Sequence, residues 1–131
     1  MVSSDLCSAF KVFEMSRDQR PMTLFHGFQG LRVIAQDVWL RAQEMCVRDS
    51  GAPYLSGWHV FIDADAVAKW AKRVSRMANR WVCAVMVSDL RKKRERDDGI
   101  WLARNLFVPT HAWDMARPLE VFLDEMSVTS K

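Results

Sequence analysis

The sequence predicts an α+β fold: a mostly antiparallel sheet packed against one main amphipathic helix over about residues 64–78, with one or two shorter helices. Three observations lead there. Short apolar runs of strand length recur along the chain between clusters of Gly, Pro, Asp and Asn. One segment repeats its apolar residues at the three- and four-residue steps of a helix. The connections between runs are too short for several parallel crossovers, which leaves antiparallel pairing.

Taken in order, Ala9-Phe10-Lys11-Val12-Phe13 is an aromatic and β-branched run, and the polar stretch Ser16 to Pro21 ends it in a loop. Met22 to His26 reads as a second strand, stopped by Gly27 and Gly30. Leu31 to Val47 fits two descriptions. Ile34, Val38, Ala42 and Met45 make a helical stripe, whereas Arg32-Val33-Ile34 and Trp39-Leu40 suit strands. Arg48 to Pro53 is a turn by composition, and Trp58 to Ile62 is a strand.

Asp63 can cap the main helix, because its carboxylate accepts from a free N–H of the first turn. Within that helix Val67, Trp70, Ala71, Val74 and Met77 share one face, and Lys69, Lys72, Arg73 and Arg76, extended by Arg80, share the other. After Asn79, Trp81 to Val87 is an almost unbroken apolar run, as expected of a central strand covered on both faces. Arg91 to Gly99 is a charged, solvent-facing hairpin tip with a turn at Asp98-Gly99. Ile100 to Val108 is a strand closed by Pro109, and Pro118 suits the first position of a short helix through Met126.

The chain has 131 residues and no internal repeat or linker-like stretch, so one domain is expected over 1–131, ragged at 1–5 and 127–131. Half of the residues are hydrophobic and the net charge is +3, which excludes a disordered chain and an acidic mimic of DNA. Six tryptophans are more than one core of this size readily hides, so one or two belong at a surface. Cys7, Cys46 and Cys83 are widely spaced, which fits a reducing, cytoplasmic setting. No basic start followed by an apolar stretch is legible, and the longest apolar run is too short to span a bilayer. No membrane association is expected.

Catalytic chemistry finds little purchase. Leu24-Phe25-His26-Gly27 resembles the strand end that holds a nicotinamide ribose in ADP-ribosyltransferase-like folds, but Glu95, Glu120 and Glu125 lack the context of a catalytic partner. His26 and His59 could meet if their strands paired, yet no ligand pair has metal-site spacing. There is no nucleophile elbow, dinucleotide loop or phosphate loop. We therefore expect no cofactor, no metal and no catalytic residue. The basic features weigh more: Arg91, Lys92, Lys93, Arg94 and Arg96 in the hairpin tip, and Lys69, Lys72, Arg73 and Arg76 on the helix. Together they are the candidate binding residues, for phosphates or for an acidic protein surface. Glu95, Asp97 and Asp98 partly neutralise the tip, which favours the protein surface.

Leu24-Phe25-His26-Gly27, Arg32, Trp39-Leu40-x-Ala42, Val47 to Gly51, Tyr54 to Phe61 and Leu102-Ala103-x-x-Leu106-x-Val108-Pro109 form an ordered set across roughly residues 24–109. The set resembles a family of small uncharacterised proteins carried by phages, prophages and other mobile elements. The resemblance implies a context and no catalytic residue. Such a protein is expected to bind and inhibit a host protein or nucleoprotein complex, as an anti-CRISPR or anti-restriction protein does, with weak non-specific nucleic-acid binding besides. The alternatives are a nucleic-acid-binding accessory protein and an ADP-ribosyltransferase-like enzyme.

Overall fold

The longest apolar run becomes the longest strand and carries most of the pairing. The structure, a computed structural model, describes residues 6–24, 32–44, 46–47, 54–74, 78–92 and 99–129. Along the chain these form β1 (Cys7–Met15), β2 (Pro21–Met22), β3 (Trp39–Arg41), β4 (Cys46–Val47), β5 (Tyr54–Leu55) and β6 (Trp58–Phe61). Then follow α1 (Ala64–Ala71), β7 (Trp81–Lys92), β8 (Ile100–Phe107), α2 (Thr110–Asp114), β9 (Arg117–Pro118) and α3 (Leu119–Thr129).

β7 pairs with β1 from Trp81↔Phe13 to Val87↔Cys7 and with β8 from Met86↔Phe107 to Lys92↔Trp101. β8 pairs with β6, and β6 returns to β1 through Phe10↔Phe61. Four antiparallel strands thus close into a barrel, and this corrects the expected fold. There is no open sheet lying on one main amphipathic helix. The three helices among the described residues are small, and α1 stops at Ala71 instead of continuing to 78. Only its first two turns have something to pack against: Ala66, Val67 and Ala71 are buried, and Trp70 meets the Phe61 ring at 5.5 Å. Beyond them the bonds Arg73 N–H to Trp70 O and Val74 N–H to Ala71 O tighten the exit. Like charges at Lys69, Lys72 and Arg73, three and four residues apart, oppose further helix.

Alternation along the strands builds two apolar layers. Ala9 and Phe13 of β1, Trp58 and Val60 of β6, and Cys83, Val85 and Val87 of β7 fill the interior with Ala103 and Leu106 of β8. α2 closes one end, with Trp113 edge-on to Phe13 at 5.7 Å. The opposite faces of β1, β6 and β7 carry Val12, Phe61 and Val82, which pack with Ala66, Val67 and Ala71 of α1 and Leu119 of α3. Asp63 caps α1 by accepting from Ala66 N–H at 2.8 Å. Gly99, with φ of 75°, brings the end of the β7–β8 hairpin so close to α1 that a Cβ there would lie 2.3 Å from Ala66 Cβ.

The inward set skips a step where the strands coil. On β7 it passes from Val87 to Leu90, and on β8 from Leu106 to Ala103, three residues apart in each case. Asp89 sits at the change with φ of 55°, a left-handed conformation that Asp tolerates better than most residues. The ambiguous stretch from Leu31 to Val47 contains no helix among its described residues. Trp39–Arg41 pairs as β3 with Phe107–Asn105 of β8, end to end with β6 on the same side of that strand.

Candidate binding surface

The predicted cations separate into three groups. Lys69, Lys72 and Arg73 are exposed along α1 and its exit and form no ion pair among the described residues. Lys92 is also exposed, its ammonium 5.7 Å over the Trp101 ring. The close approach of Gly99 to Ala66 sets the base of the hairpin beside the first turn of the same helix. Lys93, Arg94, Arg96 and Arg76 lie outside the described residues.

Arg91 and Arg80 turn inward, contrary to their expected place on a solvated surface. Arg91 Nη2 donates to the Ser56 carbonyl at 2.7 Å, and Nη1 lies 3.6 Å from Glu44 Oε2. Arg104 Nε donates to the other Glu44 oxygen at 2.8 Å, so one half-buried carboxylate joins two guanidiniums across the end of the barrel. Arg80 is only 11% exposed and pairs with Glu14 at 3.3 Å; Glu14 also meets Arg32, which in turn donates to the carbonyls of Thr23 and Leu24. These two clusters fix loops to strands.

His26, with Phe25 and Gly27 around it, lies outside the described residues. The His59 carbonyl accepts from Lys11 Nζ at 2.8 Å. Cys83 is buried, and burial pushes its thiol up to about 12, far from a reactive thiolate. Among the described residues no group of three or more His, Cys, Asp or Glu is arranged to hold a metal ion.

Two features escaped the sequence reading. The first is Lys11, in the interior and only 7% exposed. Its ammonium lies 5.6 Å from the Phe13 ring and 5.9 Å from the Trp58 ring, and desolvation lowers its pKa from the usual 10.5 to about 8. The β1–β6 seam contains a single pair of partner residues, and the bond from Lys11 to His59 spans that seam. A side chain here supplements the shortest ladder of the barrel.

The second is the outer face of β1, β7, β8 and β3. Register aligns Ser8, Met86, Phe107 and Trp39 in one row across the four strands, and Ser88, Asn105 and Arg41 in the next. Trp39 is 46% exposed and rests against Phe107 with ring centroids 5.4 Å apart. Its indole N–H has no hydrogen-bond partner among the described residues, whereas those of Trp58, Trp81 and Trp113 donate to Leu40 O, Asn79 Oδ1 and Gln19 O. Asp37, in a left-handed conformation, steers the chain into β3: its N–H donates to the Val108 carbonyl and its carboxylate accepts from Thr110 N–H and hydroxyl. The Thr110 hydroxyl, with the Thr110 N–H behind it, holds the Asp37 carboxyl below the usual carboxylate range. The tryptophan excess and the Trp39-Leu40-Arg41 alternation were the available signals, in a segment whose period was undecided.

No family model, curated protein or solved structure matches the chain.

Proposed function

We propose that this chain is a non-enzymatic binding protein of a phage or mobile element, acting by inhibition of a host protein or nucleoprotein complex. The observation that carries the reading is the outward face of α1. Lys69, Lys72 and Arg73 stand exposed with no ion-pair partner among the described residues, and Lys92, also exposed, adds a cation at the base of the hairpin. A cationic face of this kind steers association with an acidic partner surface and sets its salt dependence. The mobile-element context rests on the sequence resemblance above.

The reading assigns Arg91 a different part from its neighbours. Its bonds to Ser56 and Glu44 hold the site in shape, so a charge-removal variant should leave it in place. Immobilised protein should capture one host partner from nuclease-treated lysate, and Lys69→Ala, Lys72→Ala, Arg73→Ala and Lys92→Ala combined should weaken capture while thermal unfolding stays within a few degrees. Capture that vanishes with nuclease treatment would promote the nucleic-acid accessory reading. Consumption of a nicotinamide dinucleotide by the purified protein would promote the enzyme.

A further inference from the structure

We infer that the layer formed by α1 and α3 is a dimer interface, on which a second copy of this chain docks about a two-fold axis. This interface shares the cationic face of α1 with the function proposed above and rests on that reading of its charges. α1 and α3 pack on the same outer face of the barrel, with Leu119 of α3 in one cluster with Ala66, Val67 and Ala71 of α1. A row of four rings runs between them. Trp70 of α1 meets Phe61 at 5.5 Å, Phe61 pairs across the strands with Phe10, and Phe10 meets Phe122 of α3 at 5.5 Å. Phe61 is buried, but Trp70, Phe10 and Phe122 are only partly covered, as is Leu123 beside them. Two short helices thus leave an apolar strip between them, over the β1–β6 seam.

Charge decides the occupant. One side of the strip carries the exposed Lys69, Lys72 and Arg73, with Asp65 a full turn before Lys69. The other side carries Glu120, Asp124 and Glu125, which share the outward face of α3 with the exposed Val121. Lys69, Lys72, Arg73, Glu120 and Asp124 form no ion pair among the described residues, and Glu125 meets Arg117 of its own chain at 3.4 Å. An acidic host surface answers the cations of α1 but repels the carboxylates of α3, whereas a second copy answers both. A two-fold axis along the strip brings the α1 of each copy over the α3 of the other, and the two apolar strips meet at the centre. Exposed ion pairs stabilise little by themselves, so the strip supplies affinity and the charges set the register. The net +3 of each copy acts at longer range, where salt screens it.

The test is sedimentation of the whole chain at loading concentrations up to about 0.5 mM, at low salt and at about 1 M salt, where charges are screened beyond about 3 Å. The wild type should pass from monomer to dimer with concentration, go no further, and shift back toward monomer at high salt. Lys69→Glu with Lys72→Glu, and separately Glu120→Lys with Asp124→Lys, should each stay monomeric at concentrations roughly tenfold above those that dimerise the wild type. An equimolar mixture of the two variants should recover a dimer, because each restores the charge that the other has lost. Circular dichroism shows whether each variant is folded. The proposal is overturned if the wild type is monomeric throughout, if assembly continues past two copies, if either folded variant dimerises as the wild type does, or if the mixture of folded variants stays monomeric. Glu120→Lys with Asp124→Lys also separates this interface from the host complex: it should abolish the dimer and leave capture of the host partner intact. Loss of both would assign α3 to the host protein and overturn the dimer. A wild type that dimerises but captures no host protein would support the interface and contradict the function proposed above.

Discussion

Trp58 on β6 and Trp39 on β3 are linked through one residue, since Trp58 Nε1 donates to the carbonyl of Leu40 at 3.0 Å and Leu40 follows Trp39 in the chain. Trp58 lies inside the barrel at 6% exposure with its one polar atom satisfied. Trp39 stands outside at 46% exposure, with a ring to rest on and a donor to offer. The same residue type, opposite Ala103 in one case and Phe107 in the other along the same edge of β8, closes the core in the first and faces solvent in the second. Burial of the ring and the fate of the indole N–H distinguish them, and together they separate a tryptophan that holds the fold from one available to a partner.

The largest effect that sharpens this contrast is Trp58→Ala, which should cost roughly 3–5 kcal/mol in urea unfolding because a large buried side chain leaves a cavity. A loss under about 1 kcal/mol would show that the interior is not closed around it. Next comes Lys11. Its folded pKa of about 8 lies below the 10.5 of the unfolded chain, so the unfolded state binds more protons between those values. Stability should therefore rise as pH goes from about 8 to 10.5, by roughly 3 kcal/mol from this group, and Lys11→Met should remove that rise. Identical pH profiles for the two proteins would place the ammonium in water. Asp63→Ala should cost about 1 kcal/mol through loss of the α1 cap, read as a lower melting temperature. Smallest is Trp39→Ala, a change of under about 1 kcal/mol, since nearly half of this side chain already faces solvent.

The contrast also marks where the sequence was legible. β1, β6, β7 and β8 follow from the apolar runs at Ala9–Phe13, Trp58–Ile62, Trp81–Val87 and Ile100–Val108, because a strand covered on both faces needs little else to declare itself. Closure was not legible. It depends on β1 pairing with both β7 and β6, and the second seam is the single contact Phe10↔Phe61 between distant parts of the chain. Lys11 was hidden because a lysine among apolar neighbours reads as the solvent side of a strand, and only the closed barrel turns it inward. α1 is shorter than its period suggested, since amphipathic spacing continued past the last residue with a surface to pack on. Of the basic surface, Lys69, Lys72, Arg73 and Lys92 are exposed, whereas Arg91 was claimed by Glu44, whose position in sequence gave no hint of the pair.

The separation of an interior that holds the barrel from an exterior open to solvent is most directly tested by 19F NMR of the protein labelled with 5-fluorotryptophan, its six resonances assigned by single replacements. Exchange of H2O for D2O should shift the Trp39 resonance furthest and leave those of Trp58 and Trp113 nearly in place. Shifts at Trp58 or Trp113 with a silent Trp39 would contradict the account.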